Sequence, residues 1–278
     1  MKKLLKTALL TGGALCVIKG MDNRLEVTHY NIVSNKIPAS FDGFKILQIS
    51  DYHCDTVPGL VGEIERENPD IIVSTGDLAD DKGSYLPAVR LCEHLTDIAP
   101  VYAVTGNHDL WRSDYEKYEK ELSIAGVKTL HDERIILNQN DEKIALSGID
   151  DPFAKSSARI EENVQNSLAK FPRYDGFEIL LFHRANLFDM LKHHGFDLIL
   201  AGHMHGGQFR LPGGQGVVSP KSSWACKGPV FFPKYVGGHY KSTHTDMIVN
   251  RGIGNPMFIP RLFNRPEITV ITLNSKEK

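Results

Sequence analysis

The chain has 278 residues, 41% hydrophobic and 24% charged, as in an ordinary soluble globular protein with room for one large core or two smaller ones. Its formal net charge of -2, from 32 basic and 34 acidic side chains, gives no support for nucleic-acid binding through bulk charge. The four cysteines, Cys16, Cys54, Cys92 and Cys226, form no C-x-x-C pair, which argues against a structural zinc knuckle; with Cys16 in an apolar run, the other three argue against a disulfide framework.

Lys2, Lys3 and Lys6 precede an apolar run from Thr7 to Ile18. A basic start followed by an apolar stretch resembles an export signal. The run is about a dozen residues, short of the roughly twenty that span a bilayer. No small-x-small cleavage site follows. Residues 1–20 are therefore expected to be an uncleaved membrane anchor, with the main domain on the extracytoplasmic face of the membrane. The alternative is a frayed helix on a cytoplasmic protein. Residues 21–43 read as a lead-in, with a strand over Leu25–Ile32, and residues 44–278 as the main domain.

A rhythm then begins. Lys45–Ser50, Asp70–Thr75 and Pro100–Thr105 are short apolar runs with the length of buried strands. Between them, Leu60–Glu67 and Ser84–Asp97 carry apolar residues near a helical period, the first closed by Asn68-Pro69. Such alternation implies a parallel sheet covered by helices. Ser113–Ala125 is a further amphipathic segment. Val127–Leu130, Arg134–Leu137 and Lys143–Ile149 are closely spaced strands, which predicts a second, more mixed sheet. Ser156–Lys170 reads as a helix. Phe177–Phe182, Asp197–Ala201, Thr245–Asn250 and Glu267–Leu273 read as strands. The Gly- and Pro-rich stretch from 211 to 244 has little periodicity, as in a long functional or disordered loop.

Strand after strand ends in a polar cluster. The first gives Asp51 and His53, the second Gly76-Asp77, and the third Gly106-Asn107-His108-Asp109. The later strands give His183 and Gly202-His203-Met204-His205-Gly206. Ligands of open α/β sheets gather beyond the carboxyl ends of the strands, so one topological rule brings all five clusters together. In an extended segment Asp51 and His53 would point to one side, as would His203 and His205. Carboxylates with imidazoles suit Mn, Fe or Zn. Asp51, His53, Asp77, Asn107, His183, His203 and His205 exceed the capacity of one four-coordinate site and suit two metals. Asp77 is the natural bridge, because a carboxylate offers two oxygens.

These motifs, in this order, resemble the calcineurin-like metallophosphoesterase family. Gly206-Gly207-Gln208 and Arg265-Pro266-Glu267-Ile268 resemble its membrane-associated bacterial branch, which includes UDP-2,3-diacylglucosamine pyrophosphatase-like phosphohydrolases. The resemblance spans roughly residues 44 to 275. It implies an α/β fold: a four-layer α/β/β/α sandwich of two mixed sheets. It implies two divalent cations (Mn, Fe, Zn or Co), one held by Asp51, His53 and His205, the other by Asn107, His183 and His203, with Asp77 between them. His108 would act on the leaving-group oxygen, and Asp109 would orient His108. The implied reaction is cleavage of a phosphoester, phosphodiester or pyrophosphate bond by metal-activated hydroxide. Departures from the branch at Tyr52 and at Arg184-Ala185-Asn186 bear on substrate choice.

The expected partner is a phosphate-ester small molecule or lipid, at a membrane and without nucleic acid. His29, His94, His131, His193 and His194 read as surface or packing residues. Trp224, Phe231, Phe232, Tyr235 and Tyr240 fit a lipid or nucleobase pocket as well as a loop anchor. Lys221, Lys227, Lys234 and Lys241 are better read as a solvated face. Two other functions remain: a non-catalytic interaction scaffold on the same fold, against which the complete ligand set argues, and a nucleic-acid phosphodiesterase, against which the charge argues.

Overall fold

The computed structural model describes residues 19–152, 159–218, 231–255 and 260–276. Its first half contains β1 (Glu26–Ser34), β2 (Lys45–Ile49), α1 (Leu60–Glu67), β3 (Ile71–Ser74), α2 (Leu86–Ile98), β4 (Val101–Ala103), α3 (Asn107–Trp111), α4 (Tyr115–Ile124) and β5 (Lys128–Thr129). The second half contains β6 (Glu133–Gln139), β7 (Glu142–Ile149), α5 (Ile160–Leu168), β8 (Glu178–Arg184), α6 (Phe188–Leu191), β9 (Leu198–Gly202), β10 (Gly238–Lys241), β11 (Asp246–Val249) and β12 (Glu267–Ser275).

Two six-stranded sheets result, ordered β1-β12-β2-β3-β4-β5 and β10-β11-β9-β8-β7-β6. Both are mixed. β2 to β5 run parallel and β12 is antiparallel to β2; β7, β8, β9 and β11 run parallel and β6 and β10 antiparallel. Side chains alternate along each strand, and that alternation builds the layers. Ile46, Val73, Ile179, Leu181, Leu200 and Ile271 meet in one core between the sheets. Their neighbours Leu47, Ile49 and Ile72 face the opposite way, onto α1, α2 and α4. Leu180, Phe182 and Ile199 face α5 and α6. The architecture is therefore the α/β/β/α sandwich.

Local signals explain the helices. α1 buries Leu60 and Ile64, one turn apart, and ends at Asn68 in the left-handed conformation (φ 48). α2 has Pro87 in its first turn and buries Ala88, Leu91, Cys92 and Leu95 at helical spacing. The strand expected at Val127–Leu130 shortens to Lys128–Thr129, and Gly238–Lys241 forms an unexpected edge strand inside the irregular 211–244 stretch. Its residues are half-exposed, so no apolar alternation announces it. The helix expected from Ser156 is described only from Ile160. The proposed anchor of residues 1–20 lies almost wholly outside the described residues. Among those described, no helix is long and apolar enough to cross a membrane.

Residues 21–43 contribute β1, which pairs with β12 along its whole length. They also bury Ile32, Ile37 and Phe41. Three such side chains represent about 5–9 kcal/mol of burial, comparable to the whole stability of a domain. A chain beginning at residue 44 is expected to unfold at much lower urea concentration than one beginning at residue 19. An unchanged midpoint would show that β1 is dispensable.

Candidate metal centre

The five polar clusters meet at the carboxyl edges of both sheets. Asp51 and His53 follow β2, Asp77 follows β3, Asn107 opens α3 after β4, His183 lies near the end of β8, and His203 and His205 follow β9. All seven are buried. Ligating atoms of Asp51, His53 and His205 lie within 4.8 Å of one another, as do those of Asp77, His183 and His203. The two groups touch through Asp77, whose Oδ2 lies 3.3 Å from His183 Nε2 and 3.8 Å from His53 Nε2. Asp51 Oδ1 is 3.4 Å from His205 Nε2, and His203 Nδ1 is 3.0 Å from His183 Nε2.

The route to this convergence differs from the expected one. Asp51, His53, His203 and His205 do not sit on extended segments with alternating side chains. All four, and Asp77, have positive φ, between 46 and 75. Left-handed backbone is costly for such residues and collects where function holds it in place. The strands deliver the chain to the edge, and single left-handed residues turn the side chains inward. Glycines clear the space. A Cβ on Gly106 would lie 2.1 Å from Asp77 Oδ1, and one on Gly202 would lie 1.8 Å from Ser50 Oγ.

The donors suit cations. Both ring nitrogens of His53 and both amide atoms of Asn107 are buried without a hydrogen bond. Such atoms cost about 1–3 kcal/mol each when unsatisfied, and a cation among them would remove that cost. His183 Nδ1 is 2.8 Å from the Thr75 carbonyl, so Nδ1–H donates there and Nε2 is left to face Asp77. Burial opposes charge on His183, but Asp77 outweighs it and raises the pKa to about 10. Burial depresses His203 well below its ordinary value, and the nearby Arg184 guanidinium adds to this. Burial also lowers His205, to about 3.

His108 stands at the rim, edge-on to His53 with ring centroids 4.8 Å apart. Its Nδ1 is 2.9 Å from Asp80 Oδ1 and 3.3 Å from Asp81 Oδ1. Burial works against its charge, yet the bond to Asp80 and the charges of Asp77, Asp80 and Asp81 raise its pKa to about 9. These neighbours favour its protonated form.

The carboxylates at the His108 ring are those of Asp80 and Asp81, while Asp109 turns to the backbone. Asp109 accepts from the backbone N–H groups of Asp77 (2.7 Å), Gly106 (2.9 Å) and Ala79 (3.0 Å), and so ties the loops after β3 and β4 together. Burial, then the Asp77 charge, raises its pKa to about 6. Asp80 holds His108, and sequence reasoning missed it. The signal was the acidic pair Asp80-Asp81 closing the cluster that begins at Gly76-Asp77. Arg184, in the segment that departs from the branch pattern, is buried behind the site. It donates from Nε to Asp151 (2.7 Å) and lies 3.2 Å from His203 Nε2.

The sequence profile described as calcineurin-like phosphoesterase matches residues 44–207, more than half of the chain. Among curated proteins, the chain is similar to the uncharacterized metallophosphoesterase YkuE of Bacillus subtilis, 28% identical over 289 residues covering 96% of this chain and 92% of the relative. It is similar to a transmembrane protein with metallophosphoesterase domain of Danio rerio, 27% identical, covering 94% of this chain and 60% of the relative. It is also similar to the phosphodiesterase YaeI of Escherichia coli, 28% identical, covering 83% and 82%. The chain belongs to the calcineurin-like phosphoesterase family, and so to the metal-dependent phosphoester hydrolases.

The clash at Gly202 makes a structural prediction. Gly202→Ala should destabilise the metal-free protein by about 1–3 kcal/mol, because the added methyl would meet Ser50 and the Asp51 carboxylate, both fully buried. Urea unfolding in chelator measures this. A loss below about 0.5 kcal/mol, the usual range of a neutral surface change, would show that the Asp51 loop yields.

Proposed function

We propose that the chain hydrolyses a phosphodiester or pyrophosphate of a small or amphiphilic substrate, using two divalent cations bound at this centre. The observation that supports this best is the position of Asp77, one of whose oxygens faces both imidazole groups. Asp51, His53 and His205 would hold one cation, Asn107, His183 and His203 the other, and Asp77 both. Bound there, the cations would lower the pKa of water and neutralise charge on the phosphoryl oxygens.

The chain's own residues would do the rest. The Asp80 carboxylate takes Nδ1–H of His108 and leaves Nε2–H for the leaving oxygen of the ester. The same carboxylate keeps His108 charged, so a proton is ready at neutral pH. Asp109 holds the backbone that presents Asp77 and Asn107. Positioning of this kind supports the electrostatics that dominate phosphoryl transfer. The apolar run of residues 7–18 supports attachment to a membrane with the domain on the extracytoplasmic side. The Danio rerio relative, named as a transmembrane protein, points the same way.

The test is a panel holding a phosphomonoester, a phosphodiester, a nucleotide-sugar pyrophosphate and a lipid-linked pyrophosphate, each with Mn²⁺ and with chelator. Mn²⁺-dependent cleavage of the diester or a pyrophosphate is expected. No cleavage of any member by protein carrying two metals would overturn the reading. His108→Ala should lower kcat by about 10²–10⁴ with metal content nearly intact. The protonated form donates, so wild-type kcat should fall as pH rises through the His108 pKa, and that alkaline limb should vanish in the variant. Equal loss of metal and activity would remove His108 from the role of acid. Asp77→Ala should lose metal outright, as read by atomic absorption; two retained metals would show that Asp77 is not shared.

A further inference from the structure

A continuous set of contacts leads from His205 to the surface. Asn264 Nδ2 donates to the carbonyls of His205 (2.7 Å) and Gln208 (3.2 Å). Phe209 pairs with Leu262, and the Arg210 N–H donates to the Leu262 carbonyl (2.9 Å). The Phe263 N–H donates to the Gly20 carbonyl (2.6 Å). On the other side, the Val217 N–H donates to the Phe209 carbonyl (2.8 Å), and Phe232 N–H to that of Val217 (2.9 Å). Segments 207–218, 231–232 and 262–263 thus form one surface with residue 20, beginning at a candidate metal ligand.

That surface is unusually apolar. Met21, Leu211, Phe231, Phe232 and Phe263 are 41–63% exposed. They are five of the ten large hydrophobic side chains exposed among the described residues. Exposed apolar groups gathered on one surface mark an interaction site, whereas scattered ones do not.

The chain itself indicates what covers them. The apolar run Thr7–Ile18, preceded by Lys2, Lys3 and Lys6, enters the described structure at Lys19, and Gly20 meets Leu262 and Phe263. Exposed Lys19 flanks this entry, and Arg24 beside it is bonded to Asp22 (2.8 Å). Nearby, Arg24, Arg261 and Arg265, together with Asp55 and Glu63, line a cavity of about 850 Å³. Arg261 is buried, with a guanidinium nitrogen 3.4 Å from His205 Nδ1. An exposed apolar surface next to Lys19, joined to an apolar segment too short to span that Lys2, Lys3 and Lys6 precede, matches an anionic bilayer surface. One weak anchor gives only reversible attachment, so a second apolar contact would make it stable.

We infer that this surface docks on an anionic phospholipid bilayer and holds the His205 edge of the metal centre at the headgroup layer. The choice of a membrane-resident phosphoester as substrate follows from this and rests on the hydrolase reading above; the docking itself does not.

The full chain is mixed with vesicles of equal phosphatidylglycerol and phosphatidylcholine, and with phosphatidylcholine alone, and amide hydrogen exchange is followed. Slowed exchange in 207–218, 231–232 and 260–264, stronger with phosphatidylglycerol, is expected. Co-sedimentation without that protection would assign binding to residues 1–18 alone and overturn the inference, as would no binding. Combined Phe231→Ser, Phe232→Ser and Phe263→Ser should lower the vesicle-bound fraction about tenfold while hydrolysis of soluble bis-p-nitrophenyl phosphate is unchanged. Undiminished binding would overturn it. Protection of these segments in a protein that cleaves no phosphoester would uphold the docking and sink the hydrolase reading.

Discussion

Asp77 is an anion with almost no access to water, set where the two sheets meet, and every polar atom it has is committed. Its N–H goes to Asp109 and its carbonyl accepts from the His53 N–H at 3.0 Å. Oδ1 accepts from the His108 N–H at 2.7 Å, and Oδ2 faces the imidazoles of His183 and His53. Burial alone would push this carboxyl upward, yet His183, His53 and His108 hold it well below the ordinary range. An ionised carboxylate out of water persists only with such partners. His183 comes from the second sheet and Asp77 from the first, so the contact that supports the charge also joins the two sheets at this edge.

The backbone carries the cost of that convergence. Left-handed residues at Asp51, His53, Asp77, His203 and His205 each sacrifice conformational energy, on the order of 1–3 kcal/mol. The cores on either side offset this, with Leu47, Ile72, Leu180 and Leu200 fully buried. Rigid parallel strands end in residues whose conformation no strand would choose. The contrast explains why the same sequence segments read so clearly twice, as apolar runs and then as polar clusters.

Legibility follows from the same physics. β2, β3, β8 and β9 were evident because each is buried on both faces and therefore apolar throughout. Their polar ends located the centre, since one topological rule covers all of them. The local geometry was not legible: two residues spaced i, i+2 are equally compatible with an extended strand and with a pair of left-handed turns. Sequence adjacency suggests contact between Asp109 and His108. Within α3, however, neighbouring side chains diverge, and Asp109 points back to its own helix start. Asp80 lies far from His108 in sequence but near it in space, which residue order cannot show. β10 escaped because a short edge strand needs no apolar face.

The imidazoles of the centre compete for charge. Ring centroids of His53 and His205 are 5.2 Å apart, and those of His183 and His203 are 4.8 Å apart. Like charges at that distance cannot all persist in a buried site. Only His183, where the Asp77 charge outweighs burial, is pushed up; burial prevails at His203, with Arg184 near it, and at His205 in spite of Asp51. A proton on His183 Nε2 thus partly fills the place between Asp77 and His203 that a cation would take. Cation entry requires that proton to leave, because an imidazole ligates only through an unprotonated nitrogen. The Asp77 charge favours that proton, so acid would strengthen the competitor against a cation. The buried Asp77 would thereby also make loading of the centre a proton-exchange reaction.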